Sequence, residues 1–185
     1  MNSVNNLTNH FLLAMPQLGD SYFGQSVCYI CDHNEHGSMG LVINKPMNIS
    51  LADIFSELDI TVSKQTNQTI MQGGPVSPEQ GFVLYEGHYN NVENTEISSN
   101  IRLSTSKEIL AEIAAGNGPD EVLVCLGYAG WEAGQLEEEI ASNSWLTVEA
   151  DEELLFHTPA VDIASKAAKK IGVDINLLTT QSGHA

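Results

Sequence analysis

The segment LGYAGWEAGQLEEEIASNSWL, residues 126–146, constrains the fold of this chain more than any other. It contains both tryptophans, a run of acidic residues and three glycines, Gly127, Gly130 and Gly134. The residues just before it, 122–126, are nearly all apolar, which is typical of a strand covered on both faces. The sequence therefore predicts a buried strand that ends in glycine bends and is followed by a short acidic helix over 134–140.

A second glycine segment lies earlier in the chain. Gly73-Gly74-Pro75-Val76 follows residues 69–72 and leads toward a predicted strand over 81–85. Two adjacent glycines permit close approach of the backbone or a positive φ angle, and the proline then removes a hydrogen-bond donor. We expect the two glycine segments to lie side by side at one rim of a mixed sheet.

Strand and helix patterns follow one another in no regular order. Predicted strands cover residues 10–16, 26–31, 39–44, 81–85, 97–103, 122–126 and 145–149. Predicted helices start at the capping boxes Ser50–Asp53 and Thr105–Glu108 and at the N-cap Thr158. Because regular βαβ alternation is absent, the pattern favours an α+β fold over a doubly wound fold.

One domain is expected. A chain of 185 residues is long enough for its own hydrophobic core and short for two domains. Apolar residues make up 42% of the chain, a balance typical of globular proteins, and no disordered linker interrupts it. We therefore expect a single compact domain over residues 1–185, with frayed ends at about 1–8 and 179–185.

The charge of the chain disfavours several classes of partner. Seven basic against 24 acidic residues give a net charge of −17, which opposes direct binding to nucleic acid or to an anionic membrane. No apolar run reaches the roughly 18 residues of a membrane span. The N-terminal residues also lack the basic start of a signal peptide. We expect a cytoplasmic protein whose partner, of unknown identity, is a basic or neutral protein or small molecule.

Cys28, Cys31 and Cys125 are the three cysteines, and an odd number argues against a disulfide framework. The first two form a CxxC pattern. A redox CxxC opens a helix, whereas SVCYIC is typical of a strand, on which residues three apart point to opposite faces. The pattern favours small buried hydrophobes, and a redox role for any of the three stays open.

No catalytic or metal-binding constellation is recognisable. Residues 32–36, DHNEH, carry the letters of metal ligands, but no further ligand cluster with zinc spacing accompanies them. Residues 137–139 are three consecutive glutamates, which do not share one helix face and indicate a solvated acidic surface. A G-x-S-x-G nucleophile motif is absent. We predict no metal and no cofactor, and we assign no catalytic residue.

Five motifs, in their order along the chain, resemble the YqgE/AlgH family of bacterial proteins: FLLAMPQL, GSMGLVINKP, QGGPV with GFVLY, LGYAGWEAGQLEEEI and NSWL. The resemblance extends from His10 to about Gly172, and LGYAGW-x-x-GQLE is its most specific part. It implies a compact α+β fold built on a mixed, barrel-like β-sheet flanked by helices. Some members are named as regulators of polysaccharide synthesis, but no biochemical activity is established for the family, so no catalytic residue is carried over.

Three positions depart from the family pattern. Ser38 stands where members more often have Ala, and Lys45 stands where Arg is common before the proline. The last predicted helix lacks the Trp often seen near Ile163. These departures concern local packing more than the fold.

The candidate site collects the motif residues expected where the two glycine segments meet. They are Asn44, Pro46, Gly73, Gly74, Pro75, Gly127, Tyr128, Gly130, Trp131, Gly134, Gln135 and Glu137. One interpretation is a ligand pocket in which backbone amides face the ligand and Trp131 offers a stacking face. The other is that the glycines meet the demands of turns and the tryptophans fill the core.

Two functions are compatible with these residues. The first is a non-enzymatic binding or regulatory module, since no catalytic constellation is present. The second is a small-molecule enzyme in which Glu137, Tyr128 or Cys125 is the reacting group near the same pocket. The residues do not decide between them. Regulation by direct DNA binding is a weaker third hypothesis, which the net charge opposes.

Overall fold

The structure, a computed structural model, describes residues 5–18, 23, 25–89 and 91–180. Within this part of the chain the strands are β1 (His10–Ala14), β2 (Val27–Asn34), β3 (Gly37–Val42), β4 (Pro46–Ser50), β5 (Thr69–Gln72), β6 (Val76–Glu86), β7 (Thr95–Glu96), β8 (Ile101–Ser104), β9 (Val122–Glu132) and β10 (Trp145–Glu149). The α-helices are α1 (Leu51–Glu57), α2 (Lys107–Ala115), α3 (Gln135–Ala141), α4 (Glu152–Phe156), α5 (Ala160–Lys170) and α6 (Ile175–Thr180).

One curled, half-barrel sheet connects the strands of the described chain. Its order is β10-β1-β2-β3-β9-β6-β8-β7, and β4 and β5 are attached beside this path through the pairing of β5 with β9. That pairing is parallel, whereas the other strand pairs described are antiparallel. The sheet is therefore mixed, and with its flanking helices it confirms the predicted α+β fold.

Strand β9 lies at the centre of this sheet. Both β5 and β6 pair with Cys125, so they occupy opposite edges of β9. The edge that β5 occupies near Cys125 and Leu126 belongs to β3 further along, where β3 pairs with residues 129–132. The point at which one neighbour replaces the other is Gly127, the first glycine of the LGYAGW motif.

Three groups of buried side chains hold the sheet to its helices. The largest includes Phe11 and Tyr29, both fully buried, and is covered by α4 and α5. The second packs Phe55 of α1 and Ile109 of α2 against β6 and β9. The third, which we call the tryptophan group, contains Trp131 and Trp145 and lies beside α3. Burial of this apolar surface drives the helices onto both faces of the sheet.

The helix starts agree only in part with the prediction. The capping box of α1 is confirmed: the Ser50 hydroxyl accepts from the backbone N–H of Asp53 at 3.3 Å, and the Asp53 carboxylate accepts from the N–H of Ser50 at 2.8 Å. The capping box predicted to begin at Thr105 is wrong. The N-cap of α2 is Ser106, whose hydroxyl accepts from the N–H of Glu108 at 3.1 Å.

The predicted N-cap of α5 is also wrong. Pro159 occupies the N-cap position, without a side-chain cap. Thr158 is unavailable because its hydroxyl donates to the backbone carbonyl of Glu153 at 2.8 Å, at the end of α4. The helix itself, and the positive φ of Gly172 just beyond its end, agree with the prediction.

Several strand boundaries differ from the prediction. β9 does not end at Leu126 but continues through the GYAGW motif to Glu132, because β3 takes over the pairing. The strand predicted over 97–103 begins only at Ile101, after a turn in which Ile97 donates its N–H to the carbonyl of Ile101. The sequence predicts neither β4 nor α6. Most of the residues in the predicted frayed ends lie outside the described part of the chain.

Candidate functional site

The two glycine segments lie against each other, backbone to backbone. The N–H of Gly73 donates to the carbonyl of Leu126 at 2.8 Å. A Cβ atom placed on Gly74 would lie 2.0 Å from the carbonyl carbon of Tyr128, and one placed on Gly127 would lie 2.3 Å from the carbonyl oxygen of Gly74. No side chain fits at either position, so glycine is required there by close approach. The contact leaves no space for a ligand between the segments.

This contact marks the place where the chain changes edges of β9. Residues 73–75 connect β5 on one edge to β6 on the other. Gly127 has a φ of +73°, and a bulge of four β6 residues, 77–80, lies opposite it, between the pairs Val76↔Tyr128 and Gly81↔Leu126. The glycine segments therefore have a structural task that follows from the topology of the sheet.

A groove of about 690 Å³ opens beside the glycine segments rather than between them. Three residues of the predicted site line it: Tyr128, Gly130 and Trp131. The β2–β3 hairpin and β6 supply most of the remaining wall: Asp32, Asn34, His36, Met39, Gln80 and Phe82. Residues 73–75 are not part of its described lining.

The groove combines an aromatic floor with acidic walls. The rings of Tyr128 and Phe82 pack edge to face, with centroids 5.7 Å apart. Asp32 and Glu132 are both exposed at its sides, and Asp32 accepts a hydrogen bond from the Asn34 amide at 3.1 Å. Among the described residues that line the groove, none is Lys or Arg. The groove therefore suits a ligand that is neutral or cationic and has an apolar part.

Trp131 is held within the fold more than it is offered to a ligand. It is only 6% exposed. Its indole N–H donates to Glu139 Oε2 at 2.9 Å, and the indole N–H of Trp145 donates to the same oxygen at 2.8 Å. The two indole rings pack edge to face at 6.0 Å, and Phe23 contacts both of them. One carboxylate thus ties β9, α3 and β10 together.

The start of α3 explains two more of the predicted residues. Gly134 is the N-cap of the helix and has a φ of +78°. The Gln135 side chain accepts from the backbone N–H of Glu132 at 2.9 Å and donates to Glu139 Oε1 at 3.0 Å. These contacts stabilise the turn between β9 and α3.

Glu137 belongs to a different cluster. Its Oε1 lies 3.3 Å from Nε2 of His33, a contact without hydrogen-bond alignment, and Nδ1 of His33 lies 2.7 Å from the hydroxyl of Ser38. The His33 side chain is 1% exposed, whereas that of Glu137 is 39% exposed. The sequence shows that these residue types are present, but it does not show that their side chains lie close together. Their proximity depends on the pairing of His33 with Ser38 and on α3 folding back over β3.

Glu137 and Tyr128 lie on opposite faces of the sheet. Glu137 contacts His33, and His33 pairs with Ser38 across the β2–β3 hairpin. Ser38 in turn pairs with Trp131 of β9, which lies three residues along the strand from Tyr128. Residues three apart on a strand point to opposite faces. Tyr128 accordingly packs against the largest core group and Trp131 within the tryptophan group. Tyr128 is part of the described lining of the groove and Glu137 is not, so the two residues do not share this pocket.

Comparison with known proteins identifies the family. The AlgH-like family matches residues 11–176. The chain belongs to the AlgH-like family. It is 45% identical to a UPF0301 protein of Saccharophagus degradans over 97% of this chain and 89% of the relative. It is 44% identical to a UPF0301 protein of Cupriavidus pinatubonensis over 97% of this chain and 96% of the relative.

Two solved structures share the AlgH-like fold. The solution structure of the AlgH protein from Pseudomonas aeruginosa is 44% identical and has a TM-score of 0.80, and the match covers 100% of this chain and 99% of that one. The crystal structure of protein DIP2367 from Corynebacterium diphtheriae, 18% identical, has a TM-score of 0.72 and covers 97% of this chain and 94% of that one. The second likeness concerns the fold alone.

Three residues of the predicted site lie away from the groove: Asn44 and Pro46 of the AlgH-like motif GLVINKP, and Pro75. The Asn44 side chain accepts from the N–H of Val27 at 2.9 Å and donates to the carbonyl of Gln25 at 3.0 Å, which fixes the start of β2. Pro46 is exposed and begins β4, where it pairs with Met71. Pro75 is exposed in the segment that leads to β6. None of the three belongs to the described lining of the groove.

The cysteines of this AlgH-like chain are free thiols buried in the core. Cys28 lies in the tryptophan group and Cys31 in the largest core group, so the CxxC residues face opposite sides of the sheet, as predicted. Burial raises the pKa of the Cys28 and Cys31 thiols and raises the pKa of Cys125 to about 12.

Two kinds of feature are absent from the described residues. They contain no group of three or more His, Cys, Asp and Glu side chains arranged around a common metal position. None of their helices has the length and apolar character required to cross a membrane.

Proposed function

We propose that this AlgH-like protein is a non-enzymatic binding module whose binding site is the groove between the β2–β3 hairpin and β9. The observation that carries the proposal is the lining of the groove, in which Tyr128, Phe82 and Met39 form an apolar floor and Asp32 and Glu132 stand beside it. A volume of about 690 Å³ is within the range of small-molecule and peptide side-chain sites. The described lining of the groove comes from sheet strands and from the turn of the β2–β3 hairpin.

The charge of the groove indicates the class of ligand. Two carboxylates beside an aromatic face are suited to an ammonium or guanidinium group, which gains both ion pairing and contact with the ring. The net charge of −17 adds a long-range attraction for cations and repels anions. The ligand we propose is therefore a cationic group with an apolar stem, such as an arginine side chain in a peptide.

A peptide titration followed by two-dimensional NMR tests this proposal. The probe is acetyl-Gly-Arg-Gly-amide, and the matched control peptide carries Gln in place of Arg. We expect the Arg peptide to shift the amide resonances of residues 128–132 and of the hairpin. Asp32→Asn with Glu132→Gln is expected to weaken its binding by about tenfold, or ~1.4 kcal/mol. Glu138→Gln, an exposed change on α3, is the control and should leave binding unchanged.

Three outcomes count against the groove. They are shifts confined to other surfaces, equal binding of the Arg and Gln peptides, and an Asp32→Asn, Glu132→Gln variant that binds as well as the parent protein. Because both carboxylates are exposed, the double variant is expected to fold, and its spectrum reports directly whether it has done so.

A second candidate function, a small-molecule enzyme, is favoured by the contacts of Glu137. The Ser38 hydroxyl lies 2.7 Å from Nδ1 of His33, and Oε1 of Glu137 lies 3.3 Å from Nε2 of the same ring. A histidine that accepts the hydroxyl proton at Nδ1 would activate the serine as a nucleophile. Treatment with a fluorophosphonate, followed by intact mass measurement, tests it. Stoichiometric labelling that is lost in Ser38→Ala and slowed in Glu137→Gln would support the enzyme. A protein that is not labelled but binds the Arg peptide would exclude this serine enzyme and support the binding module.

A further inference from the structure

A second cavity lies on the face of the sheet covered by α1 and α2, and we call it the α1–α2 slot. Its volume is about 410 Å³. Its apolar walls come from α1, α2 and the sheet: Ile54, Leu58, Val83, Leu110, Val124 and Leu126. Tyr128 and the groove lie on the opposite face, with the largest core group. The slot is therefore distinct from the proposed groove site.

The slot exists because β6 lacks a side chain where one would fill it. Gly81 is the residue at which β6 resumes its pairing with β9 after the bulge of residues 77–80. On a strand, Gly81 and Val83 point to the same face, and Val83 faces the slot. A Cβ atom placed on Gly81 would meet no heavy atom within 4 Å. Unlike Gly74 and Gly127, this glycine is not required by close packing.

Such a void is unusual inside a well-packed domain. Protein interiors are packed to the density of organic crystals, and apolar walls left facing water forfeit the stabilisation that burial would give. Leu58 at the mouth of the slot is 40% exposed. The size and the apolar lining match those of sites that enclose most of a small ligand.

The rim of the slot indicates the charge of the ligand. Glu57 at the end of α1 and Glu79 in the β6 bulge stand at the rim against one cation, Lys107 of α2. Two carboxylates against one ammonium favour a cationic head group, and the net charge of the chain acts in the same direction. An anionic head would be attracted to Lys107 but repelled by both glutamates.

We propose that the α1–α2 slot is a binding site for a small amphiphile with an apolar body and a cationic head. The apolar body lies along Ile54, Leu110 and Leu126, whose side chains are partly exposed, and the head remains at the rim beside Glu57 and Glu79. The proposal does not depend on the function proposed for the groove, because the two cavities face opposite sides of the sheet and share only Gln80 among their described lining residues.

A fluorescence titration with N-phenyl-1-naphthylamine, an uncharged apolar reporter, tests the site. We expect saturable enhancement at one site in the wild-type protein. Gly81→Leu places a side chain in the slot without a backbone clash, since Gly81 has open space and no positive φ. It should weaken the reporter about tenfold or more. The groove variant Asp32→Asn with Glu132→Gln is the location control and should bind the reporter normally.

Competition by a matched pair of amphiphiles tests the head group. Dodecylamine should displace the reporter at a concentration several-fold lower than dodecanoate, which has a chain of equal length and the opposite charge. Absence of reporter binding by the wild-type protein, or undiminished binding by a folded Gly81→Leu variant, would overturn the site. A reversed order of the two amphiphiles would overturn the charge assignment. If Gly81→Leu does not fold, Leu58→Glu at the exposed mouth decides the same question, because it should weaken the reporter.

Discussion

At the scale of single residues, Gly74, just before β6, and Gly81, within β6, should respond differently to the same substitution. Gly74→Ala would force a Cβ atom to within 2.0 Å of the Tyr128 carbonyl carbon, in backbone that cannot yield. We expect a loss of unfolding free energy of about 3 kcal/mol or more, or failure to fold. Gly81→Ala meets open space and should be neutral or slightly stabilising. Chemical denaturation of the two variants measures both values.

The pair is informative because the substitution is the same in both variants. Each adds one methyl group to a glycine near the β6 bulge, so the difference between them reports the close contact alone. Equal stability of Gly74→Ala and Gly81→Ala would show that the glycine segments are not packed against each other as described.

Glu139 is the second residue on which local structure depends. Glu139→Ala would leave two indole N–H groups, of Trp131 and Trp145, without their acceptor. We expect a loss of about 2–6 kcal/mol in unfolding free energy, because two donors are left unsatisfied and each unsatisfied buried donor costs about 1–3 kcal/mol. Glu139→Gln keeps one acceptor and should lose less. Tryptophan fluorescence during urea unfolding follows both states.

The neighbouring glutamate provides the control for this prediction. Glu138 is exposed, and Glu138→Ala should change the stability by no more than about 0.5 kcal/mol. A Glu139→Ala variant as stable as Glu138→Ala would mean that the two indole groups find water instead.

The residue scale also shows how far the sequence predicts the site. The sequence predicts a backbone role for Gly74 and Gly127. Gly74 lies between another glycine and a proline, and Gly127 directly follows the apolar strand pattern. The role of Glu139 was not recognisable, since three consecutive glutamates are typical of a solvated face. Of the three glutamates, Glu139 has this role because β10 places Trp145 beside Trp131. This is a tertiary contact, which no local sequence pattern contains.

At the scale of elements, α1 depends on its capping box. Ser50→Ala removes the acceptor for the N–H of Asp53 and should cost about 1 kcal/mol at neutral pH. Hydrogen bonds from Ser50 hold the pKa of Asp53 below its ordinary value. A carboxyl with a lowered pKa contributes stability above its unfolded pKa, and this contribution disappears as the pH falls through its folded pKa. The difference between the two proteins should therefore narrow in acid.

Denaturation of both proteins across the acid range measures that difference. The matched change at the start of α5 is Thr158→Ala, which removes no N-cap and no contact with a carboxyl group. It loses only the hydrogen bond from the Thr158 hydroxyl to the Glu153 carbonyl, so its effect on stability should not depend on pH. A difference between wild type and Ser50→Ala that grows on acidification would contradict the role given to Asp53.

Elements with strong local patterns agree with the prediction, and those created by pairing do not. The capping box at the start of α1 and the apolar run at the start of β9 are recognisable in the sequence, because each is a pattern within one element. The second half of β9 is a strand only because β3 pairs with it, and the glycines of GYAGW hide this. β4 begins at Pro46, which is tolerated at the first position of a strand but indicates a stop in the sequence.

At the scale of the whole molecule, the three cysteines report on global opening. All are buried, and burial raises the pKa of Cys125 to about 12, so little thiolate is present in the folded protein. We expect no reaction of the native protein with Ellman's reagent at about pH 8, and three thiols titrated after unfolding in guanidinium. Rapid reaction of one thiol in the native protein would reveal a local opening that exposes this thiol.

The net charge of −17 should make the stability of the whole molecule depend on salt. Carboxylates spread over one compact surface repel one another, and the unfolded chain relieves this repulsion by expanding. The described lysines and arginine offset little of it, since Lys170 with Asp151 and Arg102 with Glu96 are isolated pairs. Raising NaCl from about 20 mM to about 300 mM shortens the screening length and should raise the melting temperature. KCl should act equally, whereas a lower melting temperature in both salts would mean that salt-sensitive ion pairs outweigh the repulsion.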